Sequence, residues 1–94
     1  MLSQIPVDFS KINKEALDQE ILRIGMIAEL DAINLYEQLA ALTSNKDIKK
    51  VFLDIAKEEK THVAEFQTML LRLDAEQVAE MAHGKKEVKE LTGK

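Results

Sequence analysis

Glu59 and His62 are the pair in this sequence best placed to do chemistry together. Within Ala56-Lys57-Glu58-Glu59-Lys60-Thr61-His62-Val63-Ala64-Glu65-Phe66 they stand three positions apart, so a helix points a carboxylate and an imidazole the same way. Helical spacing surrounds them with Phe52, Ile55, Ala56, Val63 and Phe66. A carboxylate in such an apolar stripe is expensive to leave unpaired, and no Lys or Arg shares the stripe. A metal ion is the simplest compensating charge, since carboxylate and imidazole together form a good donor set for divalent ions.

The rest of the chain has to hold that pair in place. At 94 residues it is one small domain, below the size at which a single core is comfortably stable. A hydrophobic content of 46% with one Pro and three Gly describes helices joined by few turns. With no Cys there is no disulfide framework and no thiolate ligand, which favours a cytoplasmic setting. The net charge of −4 argues against nucleic acid, which wants a basic face. No apolar run approaches the ~20 residues of a membrane span, and no signal peptide opens the chain. These features together describe a soluble helical module that forms homo-oligomers.

Residues 1–13, with Pro6 and no sustained period, read as an extended N-terminal arm, and residues 14–94 as a single helical domain. Ser10 or Asn13 is placed to cap a first helix from Lys14 to Leu42. That helix carries two apolar stripes. One contains Leu22, Met26, Glu29, Ile33 and Tyr36; the other, nearly opposite, contains Ile24, Ile27, Asp31 and Leu35. A hairpin covers only one of them, so the second needs another chain or the C-terminal segment. Gly25, one turn before Glu29, costs roughly 1 kcal/mol in mid-helix and marks a close helix approach. Leu42-Thr43-Ser44-Asn45-Lys46 supplies a turn and a cap for a second helix from Lys46 to Leu73. Asp74-Ala75-Glu76-Gln77 opens a short third helix that Gly84 stops, and Lys85 to Leu91 adds one or two further turns.

Folding the first two helices antiparallel about Ser44 brings two acids level. Glu29 lies 15 residues before Ser44 and Glu59 lies 15 after it. Each chain then offers Glu, Glu and His, which is half of the ligand set of a di-iron bundle built from Glu and Glu-x-x-His pairs. The expected fold is therefore all-α: an antiparallel two-helix hairpin with short C-terminal helices, completed to a four-helix bundle by dimerisation. Two copies of Glu29 and Glu59 carry four negative charges, which two divalent ions at the dimer interface cancel while both His62 stay neutral. Iron suits these donors, and Mn, Zn or Ca are substitutes. Hard anionic ligands favour Fe(III), so Fe(II) held there oxidises readily.

Glu29-Leu30-Asp31-Ala32-Ile33-Asn34-Leu35-Tyr36 followed by Glu58-Glu59-Lys60-Thr61-His62 resembles the encapsulated ferritin-like proteins. Leu73-Asp74-Ala75-Glu76-Gln77-Val78 and Val88-Lys89-Glu90-Leu91-Thr92-Gly93 extend the resemblance to the C-terminus. The resemblance implies a ferritin-like bundle and a ferroxidase housed in the lumen of an encapsulin nanocompartment, with iron stored by the encapsulin shell. It implies Glu29, Glu59 and His62 as both metal ligands and catalytic residues, Tyr36 standing behind them, and Asp31 on the route by which metal enters. It also implies a ring-shaped decamer of five dimers. The sequence departs from some relatives at Ala28, where they have an acid, and at Leu35, where they have Trp, which implies a reduced entrance. The C-terminus shows no convincing docking peptide, and since some relatives are fused to their shell protein, the chain could be a domain cut from a longer one; the sequence leaves both open.

Plainer readings stand beside these. Glu29 could bond Tyr36 or face a subunit groove; Tyr36 could be core packing; Asp31, ~200° around the helix from Glu29, could be a solvated acid at a second interface. Asp54, Glu58 and Glu65 are expected to form a solvated edge with Lys57 and Lys60, and His83 to be exposed without a function. Two other functions remain open: a rubrerythrin-like di-iron peroxidase, disfavoured by the lack of a rubredoxin-type Cys site, and a non-catalytic metal-binding cargo or scaffold bundle.

Overall fold

A computed structural model describes residues 8–11 and 14–94 of the chain. Two 3-10 turns, Phe9–Lys11 and Lys14–Ala16, precede three helices: α1 (Leu17–Leu42), α2 (Lys46–Leu73) and α3 (Ala75–Thr92). There is no strand among the described residues. The fold is all-α, as the periodicity requires.

The hairpin forms where the sequence places it. Asn45 caps α2, its Oδ1 accepting the backbone N–H of Asp47 at 2.9 Å and of Ile48 at 3.1 Å. The Thr43 hydroxyl accepts the Asn45 N–H at 3.1 Å and tightens the turn. At the far end a single residue makes the corner. Asp74 donates its N–H to the Leu70 carbonyl at 2.9 Å, ending α2. Its Oδ1 accepts the Gln77 N–H at 2.9 Å, starting α3, and its Oδ2 takes Arg23 of α1 at 3.0 Å. The Gln77 amide, with Arg23 behind it, holds this carboxyl below its ordinary value against the opposing pull of burial. Gln19 donates to the Leu73 carbonyl at 2.8 Å, so the start of α1 is tied to the same corner.

Three expectations about ends are corrected. The arm was expected to be extended, yet Phe9–Lys11 in it form a 3-10 turn; residues 1–7, 12 and 13 lie outside the described residues. Ser10 does not cap α1: its N–H and hydroxyl both bond Asp8, and α1 begins behind Ala16 with no side-chain cap. Asn13, the other candidate, also falls outside the described residues. Asp18 and Glu20 in the first turn of α1 favour its positive end. Gly84 does not stop a helix, and the short C-terminal helices are one helix of 18 residues. The helix stops instead at Gly93, whose φ of 76° is the left-handed conformation glycine adopts freely. Lys85 to Glu90 are mostly good helix formers. Nδ1 of His83 at 3.0 Å from Glu80 and Nε2 at 3.1 Å from Glu87 bridge the glycine, and such pairs offset part of its cost.

The core lies along the α1–α2 seam and is thin. Ile33, Ala40, Ala56 and Leu70 are buried, whereas Ile21, Leu30, Val51, Leu53, Val78 and Val88 are all exposed. No residue of α3 is buried. The chain spans 46 × 43 × 19 Å because α3 leaves the hairpin at the Asp74 corner and does not fold back along it. Its accessible surface is 7469 Å², against roughly 5500 Å² for a compact chain of this size.

Candidate metal centre

Glu29 arrives from α1, Glu59 and His62 from α2, and one donor atom from each lies within 4.8 Å of the others. Nδ1 of His62 stands 3.3 Å from Oε2 of Glu59 and 3.4 Å from Oε2 of Glu29. A ring nitrogen carries at most one proton, so it serves one of these oxygens. Glu59 has the hydrogen-bond geometry. Oε2 of Glu29 is buried with no hydrogen-bond partner. Leaving a charged acceptor in that condition is costly. A cation among the three atoms relieves it, and donors about 2.1 Å from an ion stand roughly 3.0–3.4 Å apart. The residues present fit a metal ion on the first count, and the two distances from His62 fit it on the second.

Around the three donors the seam is apolar. On the side toward the hairpin turn lie buried Ile33 and Ala56, then Tyr36 against Phe52 with ring centroids 5.9 Å apart at 43°. On the other side Phe66 lies flat over Gly25: a Cβ added there would sit 3.1–3.2 Å from three of its ring atoms. That is the close approach expected of Gly25. Glu29 and Glu59 are half-buried in this seam, while His62 is 46% exposed along its edge.

Lys60 does not belong wholly to a solvated edge; its Nζ reaches Glu37 of α1 at 3.5 Å, across the seam and beside the site. Exposed pairs of this kind contribute about 0–1 kcal/mol. The interhelical contact was hidden in the sequence, where Glu37 and Lys60 stand 23 positions apart on either side of the turn. Tyr36 is half-buried and packs on Phe52. Asp31 is half-buried and lies ~200° around α1 from Glu29. His83 is exposed, as expected, with a carboxylate on each ring nitrogen.

The model of the family described as Rubrerythrin matches residues 20–92. The chain belongs to the rubrerythrin family. Within that family it is a ferritin-like domain similar to encapsulated ferritins. The crystal structure of the encapsulated ferritin domain from Pyrococcus furiosus superposes with a TM-score of 0.85 and 50% identity, covering 100% of this chain and 98% of that one. A ferritin-like–encapsulin shell fusion protein of Pyrococcus furiosus is 59% identical over 85% of this chain. The encapsulin nanocompartment cargo protein EncC of Myxococcus xanthus is 38% identical over 74% of it. The chain spans 23% of the length of the fusion protein and 56% of EncC. The resemblance read from the two motifs is borne out, and so is the ferritin-like fold. The matched residues 20–92 of this rubrerythrin domain contain Glu29, Glu59 and His62. No helix among the described residues is long and apolar enough to cross a membrane.

Proposed function

We propose that this rubrerythrin-family domain is a ferroxidase, oxidising Fe(II) to Fe(III) with O2 at a di-iron centre shared between two copies of the chain. The observation that carries the reading is the convergence of Glu29, Glu59 and His62 to within 4.8 Å, with Oε2 of Glu29 buried and unpaired. Iron held there supplies the redox couple. The chain's own part is charge, orientation and exclusion of water. Glu29 and Glu59 favour the more highly charged Fe(III). His62 turns Nδ1 to the carboxylates; to ligate a metal through that atom it would give up the proton it shares with Glu59 and carry its proton on Nε2. The flanking aliphatic and aromatic side chains keep the local dielectric low, which strengthens every charge interaction within.

The shared centre is supported by what one chain leaves unfinished. It contributes three donors, half of a di-iron set, with His62 open at the edge. Its surface exceeds that of a compact chain by roughly 2000 Å², an area in the range of obligate interfaces. Two distinct two-fold interfaces would close into a dihedral ring, with a decamer as the expected form. The names of the fusion protein and of EncC support association with an encapsulin shell and a place in the lumen of a cytoplasmic nanocompartment, where the Fe(III) produced is stored.

The test is anaerobic loading with Fe(II), followed by O2 or by peroxide, with Fe(III) absorbance as the readout. Rapid oxidation by O2 supports the ferroxidase. Oxidation by peroxide with little response to O2 would favour a di-iron peroxidase, the alternative to which the Rubrerythrin match gives weight. No catalysed oxidation by either would leave a metal-binding cargo bundle.

A further inference from the structure

Gly25 and Phe66 form the layer of the seam next to the three donors. Gly25 precedes Glu29 by four residues and Phe66 follows His62 by four, so the pair lies one helical turn away on the same two faces. A Cβ on residue 25 would meet Cε2 of Phe66 at 3.1 Å and Cδ2 and Cζ at 3.2 Å. These are closer than ordinary contact. Either the ring must move or the helices must part by a few tenths of an ångström. Interiors are packed too densely to absorb such a change without passing it on. The next layer along is Glu29 against Glu59 and His62, where His62 Nδ1 stands 3.3 and 3.4 Å from the two carboxylates.

The geometry points to Gly25, acting through Phe66, as the residue that sets the width of the donor cluster and hence which size of ion it prefers. This rests on the metal-binding reading of Glu29, Glu59 and His62. Ions that bond N and O near 2.0–2.2 Å need donors close together. Ca²⁺, at 2.3–2.6 Å with flexible coordination, tolerates a wider set. Parting α1 from α2 by a few tenths of an ångström should therefore weaken the smaller ion selectively. Gly25 touches no ion in this account. It is a positioning residue.

The test compares Zn(II) and Ca(II) binding, by calorimetry, to wild type, Gly25→Ala, Phe66→Leu and the double variant, with far-UV CD confirming that each is folded. Gly25→Ala is expected to lose on the order of 10–100-fold in Zn(II) affinity, the range seen when residues supporting a metal's ligands are changed, with little change for Ca(II). The double variant should match Phe66→Leu, because removing the ring removes the clash. Should Gly25→Ala alone fail to fold, the double variant must still fold and bind as Phe66→Leu does. Equal losses for both ions, no loss, or a double variant no better than Gly25→Ala would overturn the inference. If wild type binds neither ion, it is the metal-binding reading that fails.

Discussion

His62 Nδ1 lies 3.4 Å from Glu29 Oε2, across the seam between two helices, and the contact is not a hydrogen bond. The imidazole is engaged by Glu59 at 3.3 Å. Glu29 is thus held in place by the fold and left unsatisfied by it. On the metal-binding reading, metal-free protein carries that cost and metal-loaded protein is relieved of it.

Glu29→Gln should therefore act in opposite directions in the two states. An amide removes the buried charge and adds N–H donors beside Glu59. Melting in the presence of a chelator should show equal or greater stability than wild type, by up to about 1–3 kcal/mol, the cost of an unsatisfied buried polar group. The rise in melting temperature on adding Zn(II) or Mn(II) should shrink or vanish. A variant weakened without metal but still stabilised by it would mean that Glu29 is structural.

A site shared by two chains responds to dilution more steeply than a site within one. Under subunit exchange, an equal mixture of wild type and inactive His62→Ala should retain about one quarter of wild-type activity, since both halves of a two-fold site must be intact. Retention of one half would assign a complete site to a single chain. Mixing inactive Glu29→Ala with inactive His62→Ala should give little rescue, because every mixed site lacks one ligand from each side.

The hairpin was legible because its determinants are local. Asn45 and Asp74 are capping residues at the ends of apolar periods, and equal distances from the turn brought Glu29 and Glu59 level with no tertiary information. Gly25 was legible as a cost that needed a reason, though not its partner: Phe66 is named by helix rotation, which the sequence does not give. The end of α3 was misread for a related reason. A glycine beside a histidine resembles a stop, and the bridges from His83 to Glu80 and Glu87 that carry the helix past it exist only once the helix has formed. The Glu37–Lys60 pair needed the relative rotation of α1 and α2.

Asp74 ties three helices together through its charge, and its pH dependence has a definite sign. Its carboxyl is held below the ordinary value of 3.8 by the Gln77 N–H and Arg23. Its contribution is then fully present above pH 3.8 and is lost as pH falls through the lower folded-state value. Asp74→Ala should melt at a lower temperature than wild type at neutral pH. The gap should close in acid, below pH 3.8, as the wild-type carboxyl protonates. A gap independent of pH would show that Asp74 acts through packing and not through its charge.

Gly84 within α3 and Gly93 at its C-cap should respond in opposite ways to the same substitution. Around Gly84 a new Cβ would meet nothing within 4 Å, and the backbone there is helical, so alanine relieves the glycine penalty without a clash. Gly84→Ala should stabilise α3 by roughly 0.5–1 kcal/mol. Gly93 has φ of 76° and donates its N–H to the Lys89 carbonyl at 2.8 Å. Alanine there must take a left-handed conformation, at a cost of roughly 1–2 kcal/mol, or abandon that bond and fray the last turn. Far-UV CD and urea unfolding of metal-free protein, at matched concentration, separate the two. If Gly84→Ala raises helicity but shifts the protein to a smaller species than wild type, a second chain packs against α3 at that point, in space this chain leaves open. Should Gly84→Ala lower helicity and Gly93→Ala leave it unchanged, α3 ends near Gly84 in solution and not at Thr92.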